Sequence, residues 1–143
     1  MKIKIIILAL LCTACREKPL SVEETQNLLR QYTWSYTPPN SDTPIELSFQ
    51  EGQIGGYSYC NAMGAPYKII GQKMTAPLFM SDARGCAPYI MQQETFIKSF
   101  FEPPVPFKIK YTSSKHPKLI FEKGQKQYIF IGTKLTNKST HGE

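Results

Sequence analysis

The stretch Ile45-Glu46-Leu47-Ser48-Phe49-Gln50-Glu51-Gly52-Gln53-Ile54-Gly55-Gly56-Tyr57-Ser58-Tyr59-Cys60-Asn61 decides the fold of this chain. Ile45, Leu47 and Phe49 alternate with Glu46 and Ser48, the period of a half-buried strand. Glu51-Gly52 supplies a turn. Gln53 to Cys60 returns as a second, less regular strand, and its Gly55-Gly56 pair marks a bulge or a close backbone approach. A hairpin with one apolar face needs further strands and a packed helix to cover it.

Upstream, Ser21-Val22-Glu23-Glu24 has the spacing of a capping box and opens a short helix to about Arg30, with Val22, Leu28 and Leu29 as its apolar face. Tyr32 to Tyr36 suits a strand that carries Trp34 into the core, and Pro38 to Asp42 is a loop by composition. Downstream, Tyr67 to Ile70 and Met74 to Met80 are expected strands. The period then changes. Pro88 fits a first helical turn, and Ile90, Gln93/Glu94, Ile97 and Phe101 recur at spacings of three and four, so a helix is expected over about 88–101. Phe107–Tyr111, Lys118–Phe121 and Gln127–Ile131 are three closing strands, and Gly132 to Glu143 is expected to be a mobile tail. Helices and strands do not alternate as parallel units. The expectation is an α+β domain over 21–132, a small curved, mainly antiparallel sheet or partial barrel with one packed helix and a short N-terminal one.

The 143 residues favour one domain, and 41% apolar with 20% charged residues excludes wholesale disorder. Met1 to Ala14 reads as a secretory signal: Lys2 and Lys4, an apolar run Ile5–Leu11, then small residues. Leu11-Cys12-Thr13-Ala14-Cys15 resembles a lipobox, with its Leu one place early. That resemblance implies Cys15 as a lipidated first residue, 15–20 as a tether, and attachment by two or three acyl chains at about 0.8 kcal/mol per buried CH₂. Arg16, where an Asp would favour inner-membrane retention, leans toward the outer membrane, facing the periplasm. Loss of residues 1–14 lowers the formal charge from +6 to +4, too mild for a nucleic-acid footprint.

The body then holds Cys60 and Cys86. Outside the inner membrane such a pair is expected as a disulfide closing a loop of about 27 residues, which the chain-entropy model values at roughly 3.5 kcal/mol. The rivals are a reactive thiol or a metal pair; no CxxC occurs and no histidine lies near either cysteine. The run Gly55 to Asn61 with Gly64 and Tyr67, then Cys86 with Pro88, then Glu94-Thr95-Phe96-Ile97, all after Trp34, resembles the META domain, the HslJ-like family of bacterial envelope proteins, over about residues 28–132. Tyr59 stands where many relatives have Gly, and Arg84-Gly85 where many have Met-Ala. The resemblance implies a curved β domain with one packed helix, frequent lipoprotein status and links to stress tolerance, and no established catalytic residues or cofactor.

For catalysis, His116 and His141 lack an adjacent nucleophile or acid in any motif, and the carboxylates Asp82 and Glu94 sit among residues that suggest capping or surface roles. A non-enzymatic monomer that binds or supports the envelope is expected, needing no metal. Tyr57, Tyr59, Tyr67 and Tyr89 cluster around the cysteine loop as candidate partner anchors. Lys108 and Lys110, with Lys115, Lys118, Lys123 and Lys126, crowd the C-terminal hairpins, where they solvate a sheet face or meet anionic head groups. An envelope protein, a glycan or an anionic lipid is the partner class. Inhibition of a lytic enzyme is a weaker alternative, because most lysozymes are basic like this chain, and a hydrolase is weaker still.

Overall fold

In the computed structural model, which describes residues 18–111 and 116–136, Ser21 opens the first helix, α1 (Val22–Leu29). Its hydroxyl accepts from the Glu24 amide at 3.1 Å, and the Glu24 carboxylate accepts from the Ser21 amide at 2.7 Å, so the expected capping box is present. The buried face is Thr25, Leu28 and Leu29. Val22 does not join it: the capped first turn faces solvent and leaves Val22 43% exposed.

Ten strands follow: β1 (Tyr32–Tyr36), β2 (Ile45–Gln50), β3 (Gln53–Tyr57), β4 (Ala62–Pro66), β5 (Lys68–Ile70), β6 (Lys73–Thr75), β7 (Met80–Ser81), then helix α2 (Pro88–Phe100), then β8 (Val105–Lys110), β9 (Lys118–Lys123) and β10 (Lys126–Lys134). Every pairing is antiparallel. The order across the sheet is β5-β6-β8-β9-β10-β1-β2-β3-β4-β7, and the sheet curls into a half barrel. The Ile45 hairpin forms in the predicted register, with Phe49 opposite Ile54 and Leu47 opposite Gly56. No bulge interrupts it. The glycine pair serves close approach instead: a Cβ on Gly56 would lie 3.1 Å from Ile97 of α2, so a bare backbone lets the helix settle onto the sheet.

Helix α2 fills the concave side. Ile90, Gln93, Glu94, Ile97 and Phe100 are its buried residues. Phe100 meets Phe121 and Tyr128 edge-on at 5.6 and 4.9 Å between ring centroids, geometries that add to simple area burial. The last turn is capped from the sheet, because Lys123 donates to the Ser99 and Phe100 carbonyls at 3.0 Å, placing a cation where the helix dipole favours one. On the opposite wall Trp34 is fully buried and donates to the Leu29 carbonyl at 3.0 Å.

Three expectations change. Ala62–Pro66, not among the expected strands, is one, because its backbone pairs with both β3 and β7. Met74 to Met80 splits into β6 and β7, since the Ala76 amide leaves the strand to donate to the Phe101 carbonyl at 2.8 Å. The closing strand runs past Gly132 to Lys134, opposite Tyr32. A Cβ at Gly132 would stand 2.9 Å from Pro117 and 3.0 Å from the Trp34 ring, which is why a glycine occurs inside this strand. The expected tail is thus shortened by three residues at its start, and residues 137–143 lie outside the described part. So do the signal 1–14, Cys15, Lys115 and His141.

Candidate functional site: the disulfide corner

β3 ends at Tyr57, and the chain reverses through Ser58, Tyr59 and Cys60 before β4 begins. Tyr59 makes the reversal in the left-handed region, φ 67°, which is sterically costly for any residue with a Cβ. Its hydroxyl donates to the Glu46 carboxylate at 3.0 Å, and its ring leans against Tyr57 with centroids 5.2 Å apart. That hydrogen bond and the nearby negative charge hold the Tyr59 phenol above its ordinary pKa.

Immediately behind the turn, Cys60 is disulfide-bonded to Cys86, with Cα atoms 6.2 Å apart. Asn61 is 3% exposed and organises the corner. Its side-chain oxygen accepts from the Arg84 amide at 3.0 Å while its Nδ2 donates to the Arg84 carbonyl at 3.1 Å. The amide thus acts as a one-residue strand partner for the segment leading into Cys86. Glu94, the seventh residue of α2, is 6% exposed. Its Oε1 accepts from the Asn61 backbone N–H and its Oε2 from Asn61 Nδ2, both at 3.1 Å. Oε1 also stands 3.8 Å from Cys86 Sγ. Asn61 Nδ2 lies 3.2 Å from the same sulfur.

Glu94 therefore has neither a capping nor a surface role. It is a buried acceptor aimed at the disulfide, and burial of a carboxylate requires such donors. A signal was present in the sequence: Gln93 and Glu94 sit within the apolar stripe of the helix, where polar side chains demand partners. Gln93 finds its own, accepting from Ser41 Oγ at 2.7 Å and donating to the Thr43 carbonyl at 3.0 Å.

The other candidates separate. Tyr57, Tyr59 and Tyr89 are exposed, at 39%, 54% and 54%. Tyr67 is not part of any partner surface: it is 4% exposed and packs edge-on against Phe49. Burial raises its phenol pKa, an effect Arg30 and Gln26 partly offset. Lys108 and Lys110 lie on β8, with four strands between them and Tyr57 on β3 in the sheet order, so tyrosines and lysines do not share one patch of strands. Lys108 pairs with Glu122 at 2.6 Å and holds that carboxyl below its ordinary pKa. Lys110 faces Lys118 directly across the strands. Asp82 approaches Arg84 at 3.9 Å in the open. His116 is exposed, its Nδ1 3.2 Å from the Gly132 carbonyl. A shallow groove of about 270 Å³ crosses the strands beside Tyr57, between Thr33, Glu46 and Ala62. Among the described residues no helix is long and apolar enough to cross a membrane.

No protein with a curated description matches the chain. Solved structures do. One NMR structure is similar with a TM-score of 0.55 at 20% identity, over 74% of this chain and 92% of the other. A second, of a protein from Burkholderia xenovorans, matches with a TM-score of 0.55 at 14% identity, over 76% and 86%. At such identities these likenesses speak for the fold. The family model of the META domain matches residues 22–134, a span that takes in the capped helix, all ten strands and the corner where Cys60, Asn61, Cys86 and Glu94 meet. The chain belongs to the META domain family.

Proposed function

We propose that this META domain is a lipid-anchored binding module of the cell envelope that faces the periplasm and catalyses no reaction. Cys15 fixes it to the membrane, and the Tyr57–Tyr59 turn docks an envelope protein. The observation that carries this reading is Tyr59 itself. Its backbone is held at φ 67° while its ring stays 54% exposed, so the aromatic is kept at a strained position without the reward of core burial. Strain of this kind persists where the surroundings enforce it and often accompanies function. The Glu46 hydrogen bond and the Tyr57 ring fix the side chain in advance, which lowers the ordering cost of binding, and tyrosine is a favoured interface anchor. A binding role is also supported by cysteines that are locked together.

The test places a photo-crosslinking amino acid at position 59 of the full-length protein in living cells, with position 127 on the far hairpin as control. A single dominant protein captured from 59 and absent from 127 is expected. Glycan adducts would shift the partner class, and the same diffuse set of neighbours from both positions would refute the docking role. Cys15→Ser is expected to release the protein into the soluble fraction; a variant still bound to membrane would refute the anchor.

A further inference from the structure

The disulfide corner contains more than a structural crosslink requires. A disulfide needs no carboxylate, yet Glu94 directs one at Cys86 from a buried position, oriented by two donors from Asn61. One ligand atom from each of Cys60, Cys86 and Glu94 lies within 4.8 Å of the others. We propose that, once the disulfide is reduced, these three side chains form a site for a thiophilic divalent cation of the Zn²⁺ class. Disulfide and metal are then mutually exclusive uses of the same two sulfurs.

The geometry suits tetrahedral coordination. Bonds of about 2.3 Å to sulfur and about 2.0–2.2 Å to oxygen imply S···O edges of about 3.5 Å and an S···S edge of about 3.8 Å. Cys86 Sγ and Glu94 Oε1 are already 3.8 Å apart. With Cα atoms 6.2 Å apart, the sulfurs reach the wider S···S edge by side-chain rotation. Glu94 Oε1 has one lone pair on the Asn61 amide and a second for the cation. Asn61 becomes the outer-shell group that sets carboxylate orientation, a role that tunes metal affinity. Both cysteines are only partly buried, so water has access to the fourth position. The donor set of two thiolates and a carboxylate favours Zn²⁺ over Mg²⁺ or Ca²⁺.

The chemistry balances as follows. A dithiol reductant delivers two electrons and two protons to Cys60–Cys86, the S–S bond breaks to two thiols, and the reductant closes to its own disulfide. Binding of the cation releases both thiol protons to solvent and forms two S–metal bonds and one O–metal bond. The proposal stands independently of the anchor and of the Tyr59 docking surface.

The experiment uses the full chain, reduced with a phosphine under anaerobic conditions and titrated with Co²⁺, followed by competition with Zn²⁺. The reduced protein is expected to bind one Co²⁺ with a thiolate charge-transfer band and tetrahedral visible bands, while the oxidised protein binds none. Cys60→Ser is expected to abolish the band. Glu94→Gln is expected to weaken binding by more than the ~10- to 100-fold typical of outer-shell losses, and Asn61→Ala to fall within that range. Far-ultraviolet circular dichroism of the oxidised variants reports their folding. The ¹¹³Cd chemical shift of the reduced wild type reports a mixed sulfur–oxygen set without any substitution. No charge-transfer band in the reduced wild type, unchanged affinity in a folded Glu94→Gln, or a cadmium shift without oxygen ligation would each overturn the proposal.

Discussion

Replacing Tyr59 by glycine is expected to give a more stable domain than replacing it by alanine, the reverse of the order at an ordinary strand position. The left-handed conformation costs a residue with a Cβ roughly 1–2 kcal/mol, and glycine escapes that cost. Glycine gives back about 0.5–1 kcal/mol because it loses more backbone freedom on folding. At φ 67° the first effect wins, leaving glycine ahead by about 0.7 kcal/mol. With a urea m-value of about 2 kcal/mol/M this is a midpoint difference of about 0.4 M. Both variants lose the Glu46 hydrogen bond and the Tyr57 contact equally, so the comparison isolates the backbone. Gln50, exposed on β2 with no positive φ, is the control. There alanine should exceed glycine by about 0.5–1 kcal/mol. The assay is equilibrium urea unfolding of all four variants at equal m. If alanine equals or exceeds glycine at position 59, the turn is unstrained and the argument for an exposed aromatic held by design fails.

Gly132→Ala is expected to destabilise by about 1–2 kcal/mol, because overpacking against Trp34 and Pro117 outweighs the smaller gain from a stiffer unfolded chain; a raised melting temperature would contradict the packing described. Cys60→Ser combined with Cys86→Ser is expected to lose roughly 3.5 kcal/mol in a denaturant melt, from loop-closure entropy over the 26-residue separation, and an unchanged melt would show that the crosslink contributes no stability. The Glu122 carboxyl should titrate below the ordinary glutamate value because Lys108 stabilises its charged form. Its contribution is therefore present above the unfolded-state pKa and is lost as pH falls through the lower folded value. Lys108→Met should move the NMR midpoint back up, and an unmoved midpoint would mean that the pair does not form in solution.

Where side chains alternate, the sequence announced the structure. Ile45, Leu47 and Phe49 face inward as their period requires, and Pro88 marks the first turn of α2. β4 went unseen because Ala62-Met63-Gly64-Ala65-Pro66 has no β-branched residue and ends in a proline. Its strand character comes from neighbours on both sides, which no local pattern records. The same holds for Thr133 and Lys134, made strand by Tyr32 and Thr33 across the seam. At the corner the cysteines, Asn61 and Glu94 were each visible, but their meeting was not. It depends on α2 settling over Gly56, a long-range event. Tyr67 misled because it groups in sequence with the tyrosines Tyr57 and Tyr59 before Cys60, while the alternation that continues from β4 turns it inward against Phe49.

The seam between β1 and β10 has a consequence for how the chain leaves the place where it is made. Tyr32 pairs with Lys134, and the Leu135 amide donates to the Gln31 carbonyl, so the last strand to emerge lies in the middle of the sheet. A channel that still holds β10 withholds the centre of the domain and not its edge. The strands on either side can associate among themselves, but they stay unsealed from each other until the whole domain is free. For any chain threaded through a narrow channel before it folds, this wiring places the slowest, most distant contact after the passage is complete.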